Sequence, residues 1–185
     1  DARLIVQHVK DQEAKGFSYE GANASFDLVL RRALPNYEPP FELVDFMVIV
    51  ENRRRSSFGS GWRSDGVEHP MLSEATVKVR VGDDTHHTAA EGDGPVDALD
   101  QALRKALTVT YPELSSIRLT DYKVRVVNEG AGTSAVVRVV VESADNRDVW
   151  QTVGASPNIM EASWLALTDS FEWWLFKNSI TQQPG

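Results

Sequence analysis

Leu43-Val44-Asp45-Phe46-Met47-Val48-Ile49-Val50 and Leu119-Thr120-Asp121-Tyr122-Lys123-Val124-Arg125-Val126 obey one rule, Leu-x-Asp-aromatic-x-Val-x-Val. Each reads as a strand, because aliphatic and aromatic residues dominate a short run bounded by polar or proline-rich chain. The agreement continues downstream of both. Ala75, Val77, Lys78, Val79 and Val81 match Ala135, Val137, Arg138, Val139 and Val141. Thr88, Ala98, Ala102 and Leu103 match Thr152, Ala162, Ala166 and Leu167. The offset shrinks from 76 residues (43 to 119) to 60 (75 to 135), because the first copy carries the longer loop. A common strand pattern arises easily by chance. The same order of three strands and a helix, with these matches, points to an internal repeat.

The rest of each copy follows the same grammar. Ala75 to Val81 alternates with Thr76, Lys78 and Arg80, as a strand with one wet face does. Gly82-Asp83-Asp84 is a hairpin turn, and Thr85 to Glu91 returns. Gly92-Asp93-Gly94-Pro95 opens a helix with Ala98, Leu99, Ala102, Leu103, Ala106 and Leu107 on one face. In the second copy Ile117 to Val127, Ala135 to Glu142 and Asp148 to Gly154 are strands, and a helix runs from Ser156-Pro157-Asn158 to about Phe176. Before the repeat, residues 2–15 and 20–34 read as helices, followed by the stiff boundary Pro35-Asn36-Tyr37-Glu38-Pro39-Pro40. Residues 52–73 read as a long loop. The expected fold class is α+β: two βββα units forming an internal pseudo-repeat, antiparallel sheets covered by helices, preceded by a short helical linker subdomain. The expected domains are a linker subdomain at 1–36, a regulatory domain at 37–178 (units 41–110 and 115–178), and a tail at 179–185.

Bulk properties narrow the function. The chain has 185 residues, 42% hydrophobic and 25% charged, with a formal net charge of -8. Acidity disfavours a phosphate-backbone partner, so neither DNA nor RNA is expected. No apolar run approaches the roughly 20 residues that span a bilayer, so no membrane association is expected either. There are no cysteines, which excludes disulfides, thiolate metal sites and Cys nucleophiles and suits a cytoplasmic location. No signal peptide is visible, and a first residue other than Met suggests a piece of a longer protein.

Few residues promise catalysis. Neighbours His86 and His87 on a strand point to opposite faces and cannot easily share a metal. They read as one inward and one outward strand residue. Glu91 and Asp93 form a carboxylate pair with no accompanying nucleophile or base arrangement. No catalytic and no metal-binding residue is expected here. Arg53-Arg54-Arg55 reads as a solvated charge run. Trp164, Leu167 and Phe171 share a helix face and read as core. Trp173 and Trp174 point to different faces, so one is expected to be exposed at a subunit interface.

Gly92-Asp93-Gly94-Pro95 is the more informative segment. Two glycines admit a ligand close to the backbone, and Pro at the first turn leaves the helix donors free. Such a helix start suits a carboxylate. Equally, it reads as a tight turn with Asp93 as N-cap. Ser156-Pro157-Asn158-Ile159 is its counterpart, and two equivalent helix starts could converge on one small zwitterion.

Taken together, Ser73-Glu74-Ala75-Thr76-Val77-Lys78-Val79-Arg80-Val81, Thr88-Ala89-Ala90-Glu91-Gly92-Asp93-Gly94-Pro95-Val96-Asp97-Ala98-Leu99, Leu119 to Val124, and Ser156-Pro157-Asn158-Ile159-Met160-Glu161-Ala162-Ser163-Trp164 carry a resemblance. The sequence resembles the C-terminal regulatory region of α-isopropylmalate and citramalate synthases. It is more similar to citramalate synthase through residues 16–26 and Phe41-Glu42-Leu43-Val44-Asp45-Phe46. The resemblance implies a dimerising, non-catalytic domain that binds isoleucine or leucine and lowers the activity of an N-terminal (β/α)8 barrel, which condenses acetyl-CoA with a 2-oxo acid. Divalent metal and acetyl-CoA are expected only in that barrel, and no cofactor in this chain. By motif, the effector pocket would use Gly92, Asp93, Gly94, Val96 and Asp97; Leu119, Tyr122 and Val126; Ala135 and Val137; and Pro157, Asn158 and Ile159. The competing reading is a purely structural dimerisation module.

Overall fold

The structure, a computed structural model, describes residues 2–52, 71–127, 132 and 135–181. Helices α1 (Ala2–Ala14) and α2 (Asn23–Arg32) precede β1 (Glu42–Asn52), β2 (Met71–Val81), β3 (Asp84–Gly92) and α3 (Pro95–Leu107). A 3-10 turn at Pro112–Ser116, not expected from the sequence, leads into β4 (Arg118–Val126), β5 (Val137–Ala144), β6 (Val149–Ser156) and α4 (Ile159–Thr181). The strands make two three-stranded sheets, ordered β1-β2-β3 and β4-β5-β6. The chain therefore folds as the two βββα units that its repeat requires.

Contacts divide the chain into two compact units, Leu43–Thr110, and Asp1–Glu42 together with Tyr111–Gly185. In the first, β2 and β3 pair antiparallel and α3 lies over both. Ala75, Val77 and Val79 alternate inward and meet the full apolar stripe of α3, all of it buried. Burying a side chain such as Leu99 or Val77 contributes about 1.5–3 kcal/mol. One residue breaks the amphipathic pattern: Asp100 is buried on α3. It accepts two hydrogen bonds from Arg104, one turn on, at 3.1 and 3.2 Å. Burial still holds its carboxyl above the ordinary carboxylate range. His86 faces inward and is half-buried, beside Thr110, while His87 is exposed.

In the second unit β5 is central and pairs antiparallel with β4 and β6. Helix α4 lies over β5 and β6, and α2 packs on α4 and β6. Val139, Val141, Val153, Leu167 and Phe171 form the core. Helix α4 continues five residues beyond its expected end. The tryptophans overturn an expectation. Trp174 is buried, and its Nε1–H donates to Asp145 Oδ2 at 2.7 Å. Trp173 is half-buried; its Nε1–H donates to Asp27 Oδ2 at 2.9 Å, and its ring lies against Trp150. Both are taken up within the chain, by partners far away in sequence.

The repeat extends to single hydrogen bonds. Thr88 Oγ1 donates to the Ala102 carbonyl, and Thr152 Oγ1 donates to the Ala166 carbonyl, both at 2.7 Å. Both pairs tie the third strand to the middle of its covering helix. Arg53, Arg54, Arg55 and most of the expected long loop lie outside the described residues, as do residues 182–185.

Candidate functional site

In the first unit β3 turns directly into α3. A Cβ on Gly92 would lie 2.3 Å from the Ala98 amide nitrogen, so strand and helix backbones meet there at a distance that only glycine allows. The cap is Gly94, in extended backbone (φ -157°, ψ 170°), and not Asp93. Asp93 is exposed and contributes its own N–H to Asp97 Oδ2 at 3.0 Å. Asp97 folds back over the turn and takes the proton donor that a capping Asp93 would have left free. No side chain caps α3, and Pro95 occupies its first turn. The Val96 and Asp97 amides thus sit where a helix has no internal acceptor for them. A Cβ on Gly94 would meet nothing within 4 Å, so the approach to this helix start is open. Two carboxylates, Asp93 and Asp97, stand beside the partial positive charge of the helix end. The turn thus brings backbone donors and acidic side chains to one helix end.

The second unit's helix start is built differently. Asn158 Oδ1 accepts the Met160 N–H at 2.9 Å, and Ser156 Oγ accepts the Asn158 N–H at 2.9 Å while donating to Glu161. This end supplies its own caps. The apolar residues beside it are well placed. The strand register sets Val126 opposite Val137 and Val137 opposite Ser156, one row across the sheet at the α4 start. Val126 is 53% exposed and Ile159 43%, with Val124 at 41% on the same face of β4. Ala135 lies buried just before β5. Tyr122 shares that strand face, one turn of α4 along. Its hydroxyl is 2.8 Å from Ser163 Oγ, which donates to the Ile159 carbonyl at 2.6 Å. Burial pushes the Tyr122 phenol up, so it stays protonated as a donor or a wall.

The predicted residues therefore fall into two groups. Gly92, Asp93, Gly94, Val96 and Asp97 come together in one unit. Val126, Ala135, Val137, Pro157, Asn158 and Ile159, with Tyr122 beside them, come together in the other. Leu119 is at the far end of β4, opposite Ser143, roughly 20 Å along the strand from Val126. Ser156 and Ser163 shape the second group and carry no sequence signal beyond lying in the Pro-Asn helix start. Among the described residues, no cluster of three or more His, Asp or Glu side chains is arranged to hold a metal, and no helix is long and apolar enough to cross a membrane.

Comparison with known proteins identifies the family. Residues 20–174 match the family described as the LeuA allosteric (dimerisation) domain. The chain is 46% identical over 174 residues to the (R)-citramalate synthase of Geobacter sulfurreducens, covering 94% of this chain and 31% of that protein. It is 41% identical over 178 residues to the (R)-citramalate synthase of Aquifex aeolicus, covering 96% and 31%. The 2-isopropylmalate synthase of Sodalis glossinidius is 33% identical over 174 residues, covering 91% and 31%. The chain spans about a third of the length of these relatives.

Proposed function

The chain belongs to the LeuA allosteric (dimerisation) domain family, and on that basis we propose that it is the regulatory domain of a citramalate or 2-isopropylmalate synthase. Its ligand is a branched-chain amino acid, isoleucine or leucine, bound for feedback inhibition of the pathway that makes it. The parent is an acetyl-CoA-dependent acyltransferase whose metal and acetyl-CoA belong to an N-terminal barrel. The domain works as a homodimer in the cytoplasm.

The uncapped start of α3 carries this reading. A helix end with open donors, two adjacent carboxylates and a glycine whose side-chain direction is empty is an unfinished site within the chain. Within the second unit, the row Val126, Val137 and Ser156, with exposed Val124 on the same face, offers an apolar wall of the kind that a branched side chain requires. Calorimetry of this chain with isoleucine, leucine and unrelated amino acids tests it, with the dimer verified by sedimentation. Saturable heat with a branched-chain amino acid, lost in Gly94→Trp, is expected. A verified dimer giving no heat with any of them would falsify the effector claim.

One observation favours a second reading, a purely structural dimerisation domain. The start of α4 is satisfied by Asn158 and Ser156 and needs no ligand. On that reading Gly94→Trp leaves the thermal midpoint with isoleucine where it is without it.

A further inference from the structure

A chain of polar contacts in the second unit, buried at Ser25 and Glu172 and exposed at Arg32, lies outside the site just described. β6 is an edge strand, and its Val153 N–H donates to Ser25 Oγ on α2 at 2.9 Å. Ser25 Oγ in turn donates to Asp169 Oδ2 on α4 at 2.6 Å. Arg32, at the end of α2, donates through Nη2 to Asp169 Oδ1 at 2.7 Å and to Glu172 Oε2 at 2.7 Å. Its Nε donates to Glu172 Oε1 at 3.0 Å. The Tyr37 hydroxyl, just after α2, also donates to Glu172. Ser25 and Glu172 are buried, and the Asp169 side chain is 13% exposed. One guanidinium thus holds two carboxylates in its planar fork, with every remaining acceptor used.

Apolar packing would join α2 to α4 at least as stably as these ion pairs, because desolvation of the carboxylates and solvent screening at Arg32 offset most of the Coulomb gain. Charge and fork geometry fix something packing does not: a single register. Arg32 can bridge Asp169 and Glu172 only when the two helices stand in one alignment. Trp173 repeats the constraint by donating to Asp27 on α2. The same α4 begins at the candidate site, at Ile159. From Ile159 to Glu172 the helix rises about 20 Å.

We propose that the Arg32 clamp locks α2 to α4 as one moving body, so that a ligand against the apolar row beside the α4 start is sensed at α2. The inference rests on the effector reading above. It assigns Arg32 a positioning role, with Ser25, Asp169, Glu172 and Tyr37 as its partners. In a parent with an N-terminal barrel, α1 and α2 form the connection, and the clamp gives a shift of α4 a route to it.

Hydrogen exchange on the whole 185-residue chain, with isoleucine as the probe, tests the clamp. In the wild type, isoleucine is expected to slow exchange in the first turns of α4 and in residues 25–32 together. In Arg32→Met, ligand-free exchange of residues 25–32 is expected to rise by about tenfold or more. Their response to isoleucine should vanish while the start of α4 still responds. A wild type in which α4 responds and α2 does not overturns the proposal, as does an Arg32→Met chain whose α2 responds like the wild type. If isoleucine alters nothing in the wild type, the effector reading fails. Ligand-free exchange then judges the clamp alone: unchanged protection of α2 in Arg32→Met overturns it, and the tenfold loss supports it. Should Arg32→Met not fold, Glu172→Gln keeps the Asp169 pair and carries the same comparison, with a rise of roughly threefold expected.

Discussion

The first and second βββα units share a fold, an order and even a threonine-to-carbonyl bond, yet their helix starts are opposites. At α3 the cap is a glycine with nothing around its missing side chain, and the Asp97 carboxylate turns back onto the β3–α3 turn. At α4 an asparagine and a serine occupy the backbone donors directly. The repeat dictates that a helix begins at each place. It does not dictate how the first turn is satisfied, and that freedom separates a site from a scaffold. The unit that is internally complete also holds the Arg32 clamp to α2, and the unit that is incomplete leaves its helix start open.

The strongest way to break this comparison is through the close strand–helix crossings. A Cβ on Gly154 would stand 2.0 Å from the Ala162 carbonyl oxygen, and one on Gly92 would stand 2.3 Å from the Ala98 nitrogen. Both neighbours are backbone and cannot rotate away. The two glycines are not at equivalent places in the repeat, since Thr88 and Thr152 align Gly92 with Ser156. Each unit has solved the same crossing with its own residue. Gly154→Ala and Gly92→Ala should each cost about 3 kcal/mol in urea unfolding. A loss below about 1 kcal/mol at either one would mean that its helix can shift outward, and the crossing would not be fixed.

Most of the framework was legible in the residues because it rests on local pattern. The alternation of Ala75, Val77 and Val79 and the stripe from Ala98 to Leu107 are short-range signals, and both landed in the core. What was hidden depends on distant partners. Adjacent Trp173 and Trp174 had to point apart, but only the fold brings Asp27 and Asp145 to their indole nitrogens. Arg32 meeting Asp169 and Glu172 is hidden for the same reason, across some 140 positions. Residue preference favours Asp93 as the α3 cap, whereas Gly94 occupies that position in the structure. Asp97, four residues on, wins the Asp93 N–H and leaves the cap position to Gly94. The apolar row of the second unit follows from register, in which Val126, Val137 and Ser156 align across three strands. Sequence spacing alone carries no register.

A smaller effect sharpens the contrast between the two helix starts. Asn158→Ala removes a side-chain cap and should lower stability by about 1 kcal/mol, read as a shift in the urea midpoint. Gly94→Ala removes no cap, fills no occupied space and keeps an extended backbone open to any residue, so it should change stability by less than about 0.5 kcal/mol. If the α3 start is the ligand's, the same Gly94→Ala weakens isoleucine binding despite this neutrality. Equal stability losses from the two substitutions would erase the distinction between the ends.

The smallest effect is a loss of stability in acid centred on the β5–β6 turn of the second unit. Asp145 sits in the β5–β6 turn. Partial burial works against its charge, but the Trp174 indole and the Arg147 and Asp148 amides all donate to it and together hold its carboxyl below the ordinary 3.8. A carboxyl depressed in the folded state stabilises the fold above its unfolded value and loses that contribution as pH falls through its folded one. Acid titration below pH 3.8 should therefore loosen the β5–β6 turn and the Trp174 contact first, seen as a change in indole fluorescence before the global transition. Asp145→Asn keeps an acceptor for the indole and removes the titration. In that variant the early fluorescence step should disappear, and its persistence would assign the acid sensitivity to another carboxyl of the second unit.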